Sequence, residues 1–221
     1  MKKITYKQIV DNKEINDYIA HADDSLEALG YTNHSFLHVS RCSEVSRLIL
    51  ETLGYPKRTV ELAQIASYMH DIGNVVNRKG HAQSGALMAF NILTRLNMDS
   101  NEIALIVSTI GNHDEHSGAP VNEIAAALII ADKTDVRRER VRQVSDIEID
   151  IHDRVNYAAK RSDVIVDKEN KTITLDLELD TSITQIKEYF DIFLERMEMT
   201  QLAAKKLDLT FKLKINNQEL I

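Results

Sequence analysis

The sequence predicts a mainly α-helical protein that ends in a small α+β unit with the element order ββαβ. The 221 residues include only two prolines and seven glycines, and Leu, Ile, Ala and Glu are plentiful, which favours helices. Apolar residues recur at helical spacing up to about residue 160, and beyond it they alternate or cluster as in strands. We therefore expect a helical domain over residues 1–160 and an α+β unit over residues 161–221.

Capping residues and helix-breaking residues mark the helices of the first part. Asn12 can cap a helix that runs to Leu29, a second helix spans Ser35 to Leu53 before Gly54, and Pro56 opens a third. That third helix and a later one over 121–134 are apolar almost all round, which is typical of buried helices. Two more helices are expected at 82–96 and 100–111.

The C-terminal unit is predicted from strand periodicity. Residues 164–166 and 172–179 form strands, with a turn at 167–171 between them. Ile173, Leu175, Leu177 and Leu179 should share one buried face. A helix over 182–207 follows, and a last strand at 210–215 could join the hairpin.

Composition excludes several classes of function. The formal charge of −7 and the absence of Trp argue against general nucleic-acid binding. No stretch approaches the roughly 20 apolar residues of a membrane span, and no signal core follows Met1, so we expect a cytoplasmic protein without membrane contact. Cys42 is the single cysteine, which excludes internal disulfides and zinc sites built from several thiolates. It is interpreted as a small buried hydrophobe.

Imidazole and carboxylate side chains recur at the ends of apolar helical segments, where an unpaired polar group would be costly. His70 and Asp71 end the third helix, and Asp132 interrupts an apolar segment in which a buried carboxylate needs a partner. Neighbouring residues on a helix point about 100° apart, so His70 and Asp71 can bind the same ion only at a helix end or with one carboxylate oxygen of Asp71 left over. That remaining oxygen could bind a second ion, and the Asp71 carboxylate would then bridge the two. The predicted metal ligands are His38, His70, Asp71, His81, His113 and Asp132.

Other histidines are interpreted differently. His-Asp also occurs at 152–153, in a charged segment that is better explained as a solvated face, so replacing His152 should change little. His34, near a helix start, suits capping or solvent exposure.

Cations beside these ligands suggest an anionic substrate. Arg41 lies three residues after His38 and shares its helical face; its guanidinium could bind phosphate or carboxylate, or form a salt bridge with Glu44 or Glu27. The arginines of segment 135–142, including Arg137, could form a rim that attracts polyanions. Alternatively, the segment is a solvated helix paired with Asp135, Glu139 and Asp146, and Asp132 could pair with Lys133, Arg137 or Arg138.

The order His38, His70-Asp71, Asp132 resembles the H…HD…D pattern of the HD superfamily of metal-dependent phosphohydrolases, over roughly residues 30–140. The resemblance implies an HD-domain helical bundle. In subgroups with two metals, further histidines lie between the HD pair and the last Asp, where His81 and His113 match. Lys133 matches a phosphate-contacting position in nucleotide-cleaving relatives. The cyclic-dinucleotide branch of the superfamily fits poorly. Asn112 stands where its double-histidine motif would have the first histidine, and Gly118-Ala119-Pro120 replaces its Gly-Tyr-Pro.

The predicted function is hydrolysis of a phosphoester or phosphoanhydride in a small phosphorylated metabolite or nucleotide, through a metal-bound hydroxide. The resemblance implies a site with two divalent ions. Imidazole and carboxylate ligands without thiolates suit manganese or iron, which we favour, and are also compatible with zinc, nickel, cobalt or magnesium. Asp71 would be essential to catalysis, and Arg41 and Lys133 would neutralise phosphoryl charge. The alternatives are an HD-type di-iron oxygenase and a non-catalytic metal or nucleotide sensor. The C-terminal unit could instead serve protein interaction or dimerisation, and a homo-oligomer is compatible with the sequence.

Overall fold

The computed structural model describes residues 3–142 and 150–221, which form nine α-helices, two short 3-10 helices and four strands. The helices are α1 (Tyr6–Val10), α2 (Lys13–Ala28), α3 (Phe36–Leu53), α4 (Lys57–Met69), α5 (His81–Arg95), α6 (Ser100–Gly111), α7 (Glu123–Lys133), α8 (Ile151–Ala158) and α9 (Ile186–Lys206). The 3-10 helices are Ile72–Val75 and Arg138–Arg140. The strands are β1 (Ala159–Asp167), β2 (Thr172–Leu179), β3 (Thr210–Ile215) and β4 (Gln218–Glu219). The predicted fold class, mainly α with a small C-terminal α+β unit, is confirmed.

The predicted cap residues begin and end the helices for the expected physical reasons. The side chain of Asn12 accepts a hydrogen bond from the backbone of Ile15, and that of Ser35 accepts one from Leu37. Gly54 ends α3 in the left-handed conformation (φ +86°), which glycine adopts without a Cβ penalty. The predicted helix boundaries from α2 to α7 therefore agree to within about two residues, the usual uncertainty of helix ends.

The apolar helices α4 and α7 lie at the centre of the helical part. Every residue of α7 from Ile124 to Ala131 is buried, as are most residues of α4. Helix α7 packs against α3, α4 and α9. The polar residues at its C-terminal end therefore lie at the edge of the core.

The C-terminal strands form one sheet with the order β1-β2-β3-β4. Strands β1 and β2 form the predicted antiparallel hairpin, β3 joins β2 in parallel, and β4 pairs antiparallel with β3. The β2 side chains at 173, 175, 177 and 179 are all buried, as their alternation predicts. The sequence did not predict β4 or the first half of β1.

Helix α9 crosses from the sheet to the helical part, where it contacts α7 and α8. Strand β1 follows α8 directly and also contacts α3. The division into two domains near residue 160 stays a prediction. Among the elements of residues 3–142 and 150–221, no helix has both the length and the apolarity that crossing a membrane requires.

Candidate metal centre

The six predicted metal ligands come from five different helices or their ends and meet at one place. His38 lies inside α3, His70 follows the last residue of α4 and is followed by Asp71, and His81 is the first residue of α5. The other two follow α6 (His113) and lie in the last turn of α7 (Asp132). The four imidazoles are at most 2% exposed. Packing of the apolar helical faces therefore brings the polar helix ends together in the core.

Four of these side chains form a first group of candidate ligand atoms. The Nε2 atom of His38 lies 3.3 Å from Asp132 Oδ1 and 3.6 Å from Asp71 Oδ2. The Nε2 atom of His70 lies 3.4 Å from the same Asp71 oxygen and 3.9 Å from Asp132 Oδ1. Two neighbouring ligand atoms bound to one ion at about 2.1 Å lie about 3.0–3.4 Å apart, so each of these four distances lies within about half an ångström of that range.

A second group forms at the other oxygen of Asp71. Asp71 Oδ1 lies 3.6 Å from His81 Nε2 and 3.9 Å from His113 Nε2. The two Nε2 atoms are themselves 3.1 Å apart. The carboxylate of Asp71 thus presents one oxygen to each group.

Hydrogen bonds orient all four imidazole rings in the same way, with Nδ1 toward the surrounding protein and Nε2 toward the cluster. The Nδ1 atom of each ring faces an acceptor: the Asp135 carboxylate for His38, and the backbone carbonyls of Ser67, Arg78 and Ile110 for His70, His81 and His113. An Nδ1–H donated to each acceptor would fix the tautomer and leave the Nε2 lone pair for the cluster, an arrangement typical of metal-binding histidines. At His38, a guanidinium nitrogen of Arg140 also lies 2.8 Å from Nδ1. With both lone pairs so directed, a cation near the facing nitrogens of His81 and His113 would relieve their repulsion.

The cluster also contains buried polar atoms that lack a partner. Among the described residues, His70 Nε2 and Asp71 Oδ2 have no hydrogen-bond partner although both are buried. Leaving such atoms unsatisfied costs about 1–3 kcal/mol each, and a bound cation would satisfy both. The donor set and its orientation therefore fit a divalent ion, and this His/Asp cluster is able to hold one.

Electrostatics keep four of the six ligands in the protonation states that metal binding needs. His38 differs: burial alone would lower its pKa, but hydrogen bonds to Asp132 and Asp135 help to hold that pKa well above its ordinary value. Burial lowers the pKa of His70 and carries the pKa of His113 well below its ordinary value, which keeps both rings neutral. Burial alone would raise the pKa of Asp71 and Asp132, but His70 for the first and Lys133 for the second hold each pKa well below the usual range. Neutral imidazoles and ionised carboxylates are the forms that bind metals.

Cys42 lies one helical turn after His38 and is completely buried. Its Sγ atom is 3.7 Å from both ring nitrogens of His38, and it falls in one candidate ligand group with His38, His70 and Asp132. Burial raises the pKa of the Cys42 thiol, which favours the protonated form. A buried thiol packed against His38 agrees with its interpretation as a small hydrophobe.

The three predicted substrate-binding cations have different surroundings. The ammonium of Lys133 lies beside the cluster, 2.8 Å from Asp132 Oδ2, and also forms an ion pair with Glu115. Arg41 donates to the carbonyl of Ser162 at 3.0 Å, and among the described residues it pairs with neither Glu44 nor Glu27. Arg137 pairs with Asp135. The structure brings Lys133 to the metal ligands, whereas the guanidiniums of Arg41 and Arg137 bind other partners, so their roles toward substrate stay predictions.

Two residues supporting His38 escaped the sequence analysis. Asp135 Oδ2 lies 2.7 Å from His38 Nδ1, and Arg140 lies 3.1 Å from the same carboxylate oxygen and 3.1 Å from His34 Nε2. Arg140 and Asp135 are buried. The interpretation of segment 135–142 as a solvated helix is therefore wrong for these two residues, and Asp146 lies outside the described residues.

His34 is also buried, at 8% exposure, rather than exposed to solvent. Its Nδ1 atom lies 2.6 Å from the carbonyl of Thr32, and Ser35, not His34, caps α3. Burial, followed by the neighbouring Arg140 charge, carries the pKa of His34 well below its ordinary value. The local sequence placed His34 at a helix start, but Arg140 covers it from a distant part of the chain.

A wide cleft of about 1260 Å³ is lined by chain neighbours of the second group, although none of the six candidate ligands lines it. Arg78, in its wall, lies 3.4 Å from His81 Nε2 and 3.3 Å from the side-chain oxygen of Asn74. Among the described residues Arg78 forms no ion pair, and its guanidinium lies 5.7 Å from the ring centre of Tyr31. Its position three residues before His81 is the sequence signal that could have identified it.

The opposite wall of this cleft comes from α9. Arg196 and Ile192 of that helix line it, and Arg196 reaches Glu115 at 3.4 Å. Burial alone would raise the pKa of Glu115, but Lys133 and Arg196 lower it to about 2. His152 also lines the cleft with an exposed side chain. The C-terminal unit thus contributes to a cleft whose wall also includes Arg78, a neighbour of the candidate ligand His81.

Comparison with known proteins identifies the family of this chain. The HD domain family matches residues 36–155, more than half of the chain. An uncharacterized protein of Methanocaldococcus jannaschii, MJ1020, is 24% identical over 211 residues, which cover 84% of this chain and 81% of the relative. A crystal structure described as a predicted HD superfamily hydrolase from an uncultured Thermotogales bacterium shares 21% identity and covers 62% of this chain and 72% of that one, with a TM-score of 0.45. From the family match and the residues it spans, the chain belongs to the HD domain family.

Proposed function

We propose that this protein is a metal-dependent phosphohydrolase that cleaves a phosphoester or phosphoanhydride in a small phosphorylated metabolite or nucleotide. The observation that carries the proposal is the carboxylate of Asp71. One of its oxygens faces His38 and His70, and the other faces His81 and His113. A carboxylate shared in this way suits two ions.

His38, His70, Asp71 and Asp132 would hold the first ion, and Asp71, His81 and His113 the second. When bound, such ions lower the pKa of water toward neutrality and draw charge from a phosphoryl oxygen. Imidazoles and carboxylates without thiolates suit manganese and iron, which we favour, and they also bind zinc, nickel, cobalt and magnesium.

Arg78 is the cation best placed to bind a phosphoryl group. Its guanidinium lies at the border between the cleft and His81, and it carries no carboxylate partner within the described residues. A free guanidinium fork matches the oxygens of a phosphate. Lys133 has two carboxylate partners, Asp132 and Glu115. Its ammonium would therefore bind a phosphate only if the phosphate replaced Glu115 as a partner.

The helical part and α9 together form the walls of the cleft, which Arg78 and Arg196 line. The ligand side chains are buried, and Arg78 connects the cleft to His81. A substrate that enters the cleft with its phosphate toward Arg78 would place the scissile bond beside the second group. Ile192 and Leu194 of α9 offer apolar surface to the rest of that molecule.

A screen of metals against substrates tests this function. Protein freed of metal would be reloaded with each of the six candidate ions and incubated with nucleotides, sugar phosphates and dinucleoside polyphosphates, and phosphate release would be measured. We expect turnover with at least one substrate, its complete loss in Asp71→Ala, and a raised KM in Arg78→Gln. Metal-loaded protein that releases no phosphate from any substrate, or Asp71→Ala with full turnover, would contradict the proposal.

A further inference from the structure

A second cavity, of about 410 Å³, lies between α3, the 3-10 helix Arg138–Arg140 and strand β1. None of the six candidate metal ligands lines it. Its described walls carry two acidic side chains and five basic ones: Arg41, Arg137, Arg138, Lys160 and Arg161. In a chain with a net charge of −7, this concentration of positive charge is local. We call this site the arginine cavity.

Two guanidiniums of the arginine cavity lack an anionic partner. Arg41, from α3, donates to the carbonyl of Ser162 at 3.0 Å, and Arg138 donates to the carbonyl of Tyr157 at 2.7 Å. Neither has a carboxylate oxygen within 4.0 Å among residues 3–142 and 150–221. A guanidinium has five N–H donors, so one carbonyl holds each side chain in place and leaves most of its donors for a ligand.

The other basic residues of the cavity already have partners. Lys160 lies 2.9 Å from Asp180, and Arg161 lies 3.1 Å from Asp163 and 3.4 Å from Asp176. The unpaired charge is thus concentrated on Arg41 and Arg138, which come from two different elements of the helical part. Charge that is left unpaired and converges on one cavity indicates an anionic ligand.

Arg137 links the arginine cavity to the metal centre. Its guanidinium lines the cavity and pairs with Asp135, whose other oxygen accepts from His38 Nδ1 at 2.7 Å. Replacing Arg137 would therefore disturb a candidate metal ligand as well as the cavity. Arg41 and Arg138 make no such contact and are the residues to test.

We propose that the arginine cavity binds a phosphorylated small molecule at a site separate from the metal centre, with Arg41 and Arg138 as ligands to its phosphate groups. Guanidinium forks bind phosphate oxygens in pairs, with a geometry that a lysine ammonium cannot provide. Two forks in one cavity suit a ligand with two phosphoryl groups, such as a diphosphate. A volume of about 410 Å³ falls within the range of small-molecule sites. Arg138 contacts Tyr157, with its guanidinium 4.3 Å from the centre of the tyrosine ring.

Methylenediphosphonate, a diphosphate analogue that hydrolysis does not cleave, is the probe for this site. Its binding to the full metal-loaded chain would be measured by titration calorimetry at constant ionic strength. Arg138→Gln removes the charge but can still donate to the carbonyl of Tyr157, because the glutamine amide nitrogen takes the place of the Arg138 Nε donor. Arg41→Gln removes the charge together with the terminal donor that reaches Ser162. We expect each to weaken binding about tenfold or more, because a lost charged hydrogen bond has about that effect.

Two controls make the result decisive. Arg95→Gln removes the same charge from an exposed arginine that pairs with Glu14, and it should change the affinity less than twofold. Asp71→Ala removes the shared ligand of the metal centre, and with it any binding of methylenediphosphonate to ions held there. The binding that remains in this variant should be that of the arginine cavity, so a failure of the proposed hydrolysis does not affect this test. Thermal unfolding checks that each variant is folded at the titration temperature, and Arg138→Lys provides a second, milder variant.

Three outcomes would overturn the inference. The first is no binding of methylenediphosphonate at millimolar concentration. The second is binding that Asp71→Ala abolishes and both glutamine variants retain, which would place the anion at the metal centre. The third is equal weakening by Arg95→Gln, which would show that only the net charge matters.

Discussion

Replacing Gly73 with alanine should disrupt the contact that holds the start of α5 against the end of α4. Gly73 follows His70, Asp71 and Ile72, and a Cβ atom built on it would lie 2.0 Å from the carbonyl oxygen of His81 and 2.4 Å from the backbone nitrogen of Gly85. Real Cβ contacts essentially never fall below 3.0 Å, so one backbone segment must retreat by about 1 Å. The clashing atoms belong to backbone, which cannot rotate away as a flexible side chain can.

The loss of stability in Gly73→Ala can be estimated from that displacement. Overpacking a well-packed interior costs about 1–3 kcal/mol, and a clash between backbone segments lies at the upper end or above it. For a chain of this size 1 kcal/mol corresponds to about 2–4 °C in Tm, so we expect Gly73→Ala to lower Tm by about 6–12 °C. Because the clash falls on His81 itself, the second ion should also bind more weakly.

Gly111→Ala is the matched control. Its Cβ would lie 3.6 Å from that of Ala86, an ordinary contact, at the end of α6. Alanine is the better helix former by up to about 1 kcal/mol, so this variant should be neutral or slightly stabilised. The assay is thermal and urea unfolding of both variants, with bound metal measured in parallel. A Gly73→Ala protein with wild-type stability and wild-type metal content would refute the reasoning.

Three further predictions concern single side chains. Asp135→Asn removes the charge that faces His38 Nδ1 and should weaken metal affinity about 10–100-fold, which a competition with a chelator measures; unchanged affinity would contradict the role of Asp135. Arg154, through a hydrogen bond, lowers the pKa of Glu188 to about 2, so the carboxylate should stabilise the fold above its ordinary pKa of 4.5 and lose that effect between about pH 4.5 and pH 2. Glu188→Gln should therefore lower the free energy of unfolding at pH 7 but not at pH 2, and an equal loss at both would count against this. His152→Ala changes an exposed side chain and should alter stability by less than about 0.5 kcal/mol, with phosphate release unchanged; a large fall in release would show that the cleft wall uses His152.

Much of the fold could be predicted because its signals are local. Asn12, Ser35 and Gly54 act on backbone groups within a few residues of themselves, and the alternation in β2 reports directly on which face is buried. The short helix α1 was missed, because its five residues are too few to show a helical period.

The metal ligands could be proposed because a buried imidazole or carboxylate stands out in an apolar segment. Their supporting residues could not, because the contact between His38 and Asp135 joins positions 97 apart in the chain. Arg140 illustrates the same difficulty: in a segment with four arginines, the sequence does not show which one the fold buries. Arg41 shares a helical face with His38, but its long side chain turns to Ser162 of β1, and spacing alone does not determine that direction.

The metal content of the purified chain tests the central claim most directly. Wild-type protein loaded with manganese and dialysed would be analysed for bound metal per chain, beside Asp71→Ala and His81→Ala. If Asp71 bridges two ions, wild type should hold two manganese ions, His81→Ala should hold one, and Asp71→Ala should hold none. A wild-type content of one ion or fewer, or two ions retained in Asp71→Ala, would contradict the account.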